Sequence, residues 1–166
     1  TGMVIEGKAG FQIMGDWAKG EFTAAGKVPG VDYYCAPTPS NNGYLYNVDS
    51  FIFYKTSDPE KQEGQKLLAK LMMGKNFQKV FNLYKGSIPA RLDVSMDEFD
   101  KCAKTSNSDI KTAGASGGLV PSFAHGMAQG NTMKAALQDV ITEHFNSDMS
   151  SVDAANALAD SVLDNM

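Results

Sequence analysis

Residues 44–74, "YLYNVDSFIFYKTSDPEKQEGQKLLAKLMMG", change from a strand pattern to a helix pattern and so decide the fold class. The first part, 44–56, is rich in aromatic residues and predicts a long β-strand. Ser57 or Asp58 followed by Pro59 is a start signature for a helix, which we expect to end at Gly74. A strand followed by a helix excludes an all-α protein and favours an α/β fold.

The flanking sequence extends this alternation upstream and becomes helix-rich downstream, from about Asp93 onward, where we expect no strands. Upstream we predict strands at 3–14 and 31–37, a turn at 38–43, and between the strands a short helix that is capped by Asp16 and ends near Gly26. A further helix ends at Gly86, and its residues facing the core are Phe77, Val80, Phe81 and Tyr84. Downstream we predict two short helices within 95–104 and 106–115 and an irregular loop at 116–126. Two amphipathic helices follow, the second capped by Ser151 and the first with an apolar stripe formed by Met133, Leu137, Val140, Ile141 and Phe145.

Composition excludes several classes of protein. The 166 residues carry a net charge of -4, and the 15 basic side chains are scattered, so we expect no nucleic-acid partner. No apolar run approaches the roughly 20 residues that span a bilayer. The chain begins at Thr1 without a basic and apolar leader, and we expect that an N-terminal portion of the protein is missing.

Cys35 and Cys102 are the only cysteines, and their spacing matches neither a zinc site nor a redox motif. We therefore expect no metal and no cofactor. Two interpretations remain open from composition: two buried thiols, or one disulfide formed in an oxidising compartment.

Four side chains stand in glycine- or proline-marked loops at the ends of predicted elements, where binding residues are commonly found. Trp17 opens a helix, Asp49 lies in "NVDSF", Lys85 precedes "GSIPA" and His125 lies in "SFAHG". An indole can stack on the C–H face of a sugar, while charged groups form strong hydrogen bonds to hydroxyls in a desolvated cleft. These four residues are the candidate site.

Each candidate also has a structural interpretation. Trp17 is equally typical of a half-buried core anchor, and Asp49 of a turn cap or a partner for a lysine. Lys85 is typical of a cation favoured by the helix dipole, and His125 and His144 of surface histidines near helix ends. Spacing alone leaves both interpretations open.

The usual enzyme motifs are absent. A carboxylate pair for glycoside hydrolysis, such as Asp16 and Asp49, could be drawn from the 19 acids, but no spacing singles it out. A glycan hydrolase and a ligand-free fragment stay as alternatives to a binding protein.

Four segments resemble, in order and spacing, the C-terminal portion of a periplasmic sugar-binding protein of an ABC transporter, of the glucose- and mannose-binding type. They are "GKAGFQIMGDWAKGEF", "YNVDSFIFYKTSDPEKQEGQKLLAKLM", "LYKGSIPARLD" and "LVPSFAHGMAQG". The resemblance implies a type II periplasmic binding-protein fold, in which two α/β lobes close over the sugar. It assigns 1–45 and 93–166 to the C-terminal lobe and 46–92 to the N-terminal lobe, whose remaining half would be absent.

By the same resemblance Trp17 is the stacking platform, and Asp49, Lys85 and His125 bind sugar hydroxyls, with Asn47 and Arg91 as accessory residues. A secreted family also favours the Cys35–Cys102 disulfide.

The resemblance implies a non-enzymatic, periplasmic protein that captures a monosaccharide, glucose or a related hexose, and delivers it to the permease subunits of the transporter. The apolar faces within 49–92 would then need the missing half, or another partner, to cover them.

Overall fold

The computed structural model describes residues 1–39 and 43–166, and this part of the chain has the mixed, helix-rich α/β composition predicted. The predicted turn at 38–43 lies partly outside the described residues. The elements in chain order are α1 (Gly2–Ile5), a 3₁₀ turn (Asp16–Ala18), α2 (Lys19–Ala24), β1 (Tyr44–Tyr46), α3 (Pro59–Met72), α4 (Lys75–Lys85), α5 (Lys101–Ser116), β2 (Leu119–Pro121), α6 (Asn131–Asn146) and α7 (Ser151–Asp164).

The chain folds as two compact units. Unit 1 comprises Thr1–Gly43 and Ser50–Gly118, and unit 2 comprises Tyr44–Asp49 and Leu119–Met166. Unit 1 therefore holds α1 to α5, and unit 2 holds both strands, α6 and α7. These boundaries differ from the division into 1–45, 46–92 and 93–166, and the assignment of those segments to two lobes stays a prediction.

The helices with strong local signals form where they are predicted. At the start of α3 the Asp58 carboxylate accepts hydrogen bonds from the amides of Glu60 and Lys61, at 3.0 and 3.4 Å, and Pro59 occupies the first turn. At the end of α4, Gly86 takes the left-handed conformation with φ of 89°. Both helix ends follow from the residues at the boundary itself.

The strand predictions upstream of residue 60 are largely wrong. Residues 2–5 are helical, 11–15 have no regular structure, and 31–37 contribute only a single bridge between Pro29 and Tyr33. The long strand at 44–56 is reduced to Tyr44–Tyr46. A β-strand needs a neighbour to satisfy its backbone groups, and among the described residues the partner of β1 extends over three residues only.

Three predictions in the C-terminal half also need correction. The first of the two short helices is wrong over 95–100, which are not helical because Asp100 caps the helix that follows, and the rest of the predicted helical sequence forms one continuous helix, α5. The predicted loop contains β2, so strands do not disappear after Asp93. The cap of α7 is Ser150 rather than Ser151, and its hydroxyl accepts from the amide of Asp153 at 3.1 Å.

In unit 2, β1 and β2 form a parallel pair in which Leu45 lies opposite Val120. The Ser122 amide donates to the Tyr46 carbonyl at 2.8 Å and extends the pairing by one residue. Helices α6 and α7 pack against each other. Of the predicted stripe on α6 only Met133 is buried, whereas Phe145 is 86 % exposed.

The apolar faces of α3 and α4 are exposed, contrary to the prediction that the α4 stripe faces a core. Met72 is buried, but Leu67, Leu71 and Tyr84 are 60, 61 and 81 % exposed. The surface formed by Leu67, Leu68, Leu71, Val80, Phe81 and Tyr84 is called the α3–α4 face below. Exposed apolar side chains on two helices that contact each other are typical of a surface that binds another structural element.

Cys35 and Cys102 form a disulfide within unit 1, with their Cα atoms 5.7 Å apart. The disulfide interpretation is therefore the correct one of the two that composition left open. The bond joins the segment after the Pro29–Tyr33 bridge to the first turn of α5, across 67 residues of sequence. A crosslink over so long a loop restricts the unfolded chain strongly.

Replacing both cysteines by serine is expected to lower the free energy of unfolding by about 4 kcal/mol, the value for a loop of this length. Urea unfolding followed by circular dichroism measures the change. Reducing agent should lower the free energy of unfolding of the wild-type protein and leave that of the double variant unchanged. Equal stabilities of the two proteins under oxidising conditions would contradict the crosslink.

Candidate functional site

Trp17 lies in the 3₁₀ turn that leads directly into α2, and its side chain is half-buried. The six-membered ring of the indole lies over Gly15, so closely that a Cβ at that position would collide with it. The glycine of "GDW" therefore makes room for the tryptophan two residues later. The helix start is where we predicted it, but Asp16 is not its cap, because Gly15 occupies that position.

The Asp16 carboxylate instead reaches across unit 1 to the segment that follows α4. Its Oδ2 accepts a hydrogen bond from the amide of Ile88, 72 residues away in sequence, at 2.9 Å. Burial raises the pKa of Asp16 above its ordinary 3.8, although the Ile88 amide, the Lys19 and Lys85 charges and the Ser87 hydroxyl partly offset that effect. Asp16 therefore connects two segments of unit 1: the turn that contains Trp17 and the residues that directly follow Lys85.

A close approach of two backbones reinforces this connection. A Cβ built on Gly20, in α2, would lie 2.7 Å from the carbonyl oxygen of Lys85. A Cβ on Gly86 would collide with the backbone at Gly20. Two glycines at this crossing therefore set the Trp17 turn against the end of α4, and unit 1 assembles the segments that carry Trp17 and Lys85. The Lys85 ammonium lies 5.9 Å from the centre of the Phe81 ring.

Unit 2 assembles the segments that carry the other two candidates. Asp49 follows β1 and His125 follows β2, and the carboxyl ends of parallel strands meet at one edge. Asn47 donates its side-chain amide to Asp49 Oδ1 at 3.0 Å, and the Ser122 hydroxyl is 2.7 Å from His125 Nδ1. Asp49 and His125 are exposed, and each is oriented by a neighbour on its own strand end.

The candidates thus fall into two pairs: Trp17 with Lys85 in unit 1, and Asp49 with His125 in unit 2. Their role as sugar ligands stays a prediction. The accessory residue Asn47 contacts a candidate directly. Arg91 instead forms two 2.8 Å bonds to Asp93 and donates to the Met73 carbonyl at 3.0 Å, so it ties the end of α3 to the segment beyond α4.

Sequence reasoning missed one buried ion pair. Lys19, directly after the Trp17 turn, is only 6 % exposed, and its Nζ lies 2.9 and 3.2 Å from the two carboxylate oxygens of Asp100. The sequence does contain a signal for the burial of Lys19. It lies three residues before Phe22 and therefore on the same helix face, and Phe22 is buried. A lysine on the apolar face of a short helix indicates a buried partner.

No helix among the described residues combines the length and the hydropathy that crossing a membrane requires.

Comparison with known proteins found relatives over almost the whole chain, although no family model matches it. The chain is 45 % identical over 163 residues to a probable sugar-binding periplasmic protein of Brucella suis biovar 1 (strain 1330), covering 98 % of this chain and 38 % of that protein. It is 43 % identical to a probable sugar-binding periplasmic protein of Rhizobium meliloti (strain 1021), covering 98 % of this chain and 39 % of the relative.

A more distant relative carries the name of a transporter component. The chain is 34 % identical over 142 residues to an uncharacterized ABC transporter extracellular-binding protein of Pyrococcus horikoshii, covering 85 % of this chain and 31 % of that protein. This chain thus spans well under half the length of these three relatives. Their names describe binding proteins and not enzymes, in agreement with the prediction of a non-enzymatic chain.

Gly86→Ala tests the backbone crossing, with Gly117→Ala as its matched control. Both glycines end a helix with positive φ, 89° and 73°, but only Gly86 faces another backbone. We expect Gly117→Ala to lower the free energy of unfolding by about 1 kcal/mol through backbone strain, and Gly86→Ala by about 3 kcal/mol or more through strain and collision. Chemical unfolding measures both, and equal losses would contradict the crossing.

Asp16→Asn tests the buried carboxylate. Because the folded pKa is raised, the aspartate favours folding below pH 3.8 and loses this contribution as pH rises through the folded value. Asparagine keeps an oxygen for the Ile88 amide and does not ionise. The stability of wild type relative to Asp16→Asn should therefore fall from acid to neutral pH in urea titrations. A difference that grows with pH would contradict the burial of Asp16.

Proposed function

We propose that this chain is part of an extracytoplasmic sugar-binding protein of an ABC importer, and that it binds a hexose, glucose or a close relative. The observation that carries the proposal is 45 % identity, over 98 % of the chain, to a protein named for sugar binding and for the periplasm. The contacts around the candidate side chains support the proposal. Within each unit, neighbouring residues hold the segments that carry them.

The proposed ligands are Trp17, Asp49, Lys85 and His125. The half-buried indole offers an apolar face against which the C–H face of a pyranose can lie. A carboxylate accepts from sugar hydroxyls, an ammonium donates to them, and an imidazole does either. Together these groups supply both donors and acceptors, which the hydroxyls of a polyhydroxylated ligand require.

Preorganisation supports the same assignment in both units. Gly15 leaves room for the indole, and the Asp16 bond to Ile88 holds the turn that carries it. Asn47 orients Asp49, and Ser122 orients His125. Side chains already held by neighbours lose less conformational entropy when a ligand binds. We assign Asn47 and Arg91 to this supporting role, Arg91 through its bonds at the end of α3.

We further propose a type II binding-protein fold for the whole protein, in which the remainder of the polypeptide covers the α3–α4 face. That face exposes leucines and aromatics, and the matched relatives are more than twice as long as this chain. Closure of two lobes on the sugar would then follow from the difference in sugar affinity between the open and closed forms. The closed form would deliver the sugar to the permease subunits.

Calorimetry with glucose, mannose, galactose and maltose tests the proposal. The protein is a hybrid in which the part of the Brucella suis relative outside the matched region is joined to this chain. We expect a hexose to bind, and Trp17→Ala and Asp49→Ala each to weaken it at least about tenfold, or 1.4 kcal/mol. The exposed Asp160 on α7 supplies a control, Asp160→Ala, which should leave the affinity unchanged.

Wild-type affinity in both Trp17→Ala and Asp49→Ala would refute the proposed site. Absence of binding to every sugar by the folded hybrid would refute the proposed function. Release of new reducing ends from an oligosaccharide would favour the hydrolase alternative.

A further inference from the structure

The ammonium of Lys19 is buried next to the Trp17 turn. The side chain of Lys19 is 7 % exposed and that of its partner Asp100 is 33 % exposed, so the pair is more enclosed than the chain's surface ion pairs, such as Lys8 with Glu6. Nζ binds both carboxylate oxygens of Asp100, across 81 residues of sequence. A lysine is seldom buried unless a charged partner holds it.

Asp100 is itself fixed from two directions. Its Oδ1 accepts from the amide of Ala103 at 2.8 Å, which makes it the cap of α5. Two residues later Cys102 is bonded to Cys35. Burial acts to raise the pKa of Asp100, but the Lys19 ammonium and the Ala103 amide more than offset it, so the pKa is lowered and the carboxylate stays ionised near neutral pH.

Trp17 therefore lies between two long-range polar anchors. On its N-terminal side, Asp16 is bonded to the amide of Ile88. On its C-terminal side, Lys19 is bonded to the cap of α5. The 3₁₀ turn between them has three residues, so neither end can move without moving the indole. The Gly20–Gly86 crossing restrains the backbone directly after the turn, and the Lys19 ion pair adds a connection to α5 that the crossing does not supply.

An ion pair in this place is a weak source of stability, since removing two charges from water offsets most of their attraction. An apolar side chain of similar length could fill the same space. The ion pair fixes the position of the Lys19 side chain, because the ammonium must lie within hydrogen-bond distance of both carboxylate oxygens. An apolar contact would allow the two side chains to shift against each other.

We propose that Lys19 and Asp100 are positioning residues for Trp17: their ion pair holds the indole face in the orientation that a sugar requires. This rests on the proposed function only for the identity of the ligand, since the orientation of the indole is a property of unit 1. The disulfide contributes by holding the α5 terminus to which Lys19 is bonded.

Fluorescence of the chain tests this directly, because Trp17 is its only tryptophan. The variants are Lys19→Met, which removes the charge and keeps an unbranched side chain only one atom shorter, and Asp100→Asn, which removes the charge but keeps a side chain that caps helices equally well. Lys19→Arg retains the ion pair. Lys8→Met removes an exposed pair and is the matched control.

We expect Lys19→Met and Asp100→Asn to increase acrylamide quenching of Trp17 about twofold in the folded state and to shift its emission to longer wavelength, since the turn opens locally. Lys19→Arg and Lys8→Met should behave as wild type. Circular dichroism and thermal unfolding confirm that measurements are made on folded protein. Where Lys19→Met does not fold, Asp100→Asn carries the test.

A lowered melting temperature with unchanged quenching and emission would overturn the proposal, because the pair would then contribute to stability alone. In the hybrid protein, Asp100→Asn should also weaken glucose binding while the Lys8→Met control does not. If wild-type hybrid binds no sugar but the quenching differences persist, the proposed function fails and the positioning of Trp17 stands.

Discussion

The structure of unit 1 depends on one close approach, the crossing of the α2 and α4 backbones at Gly20 and Gly86. A Cβ on either residue would occupy space taken by the other chain segment. The crossing joins parts of the sequence that are more than sixty residues apart, and the hydrogen bond from Ile88 to Asp16 is possible because of it. Without it, neither the Trp17 turn nor the end of α4 would have a defined position relative to the other.

Features set by neighbouring residues could be predicted from the sequence. The start of α3 follows from Asp58 and Pro59, and the end of α4 from Gly86, because capping and left-handed conformations are local. The extent of the strands could not be predicted. Residues 44–56 have the composition of a strand, but pairing among the described residues stops after Tyr46, where β2 ends.

In the candidate site, too, local features could be predicted from the sequence and long-range contacts could not. Turn residues in the sequence pointed to Trp17, Asp49, Lys85 and His125 as candidates. The structure places Trp17 in the 3₁₀ turn before α2, Lys85 at the last residue of α4, and Asp49 and His125 in the segments that follow β1 and β2. The contacts that hold the Trp17 turn were found only in the structure, since Asp16–Ile88 and Lys19–Asp100 join segments 72 and 81 residues apart. The disulfide could be predicted only in part, because composition left it open and only the resemblance to a secreted family favoured it.

The central proposal is that Trp17, held in its turn within unit 1, is the surface on which a sugar lies. A crystal structure of the hybrid protein with bound glucose tests it most directly. We predict a pyranose lying flat against Trp17 at van der Waals contact, about 4 Å. A sugar bound away from Trp17 would contradict the proposal.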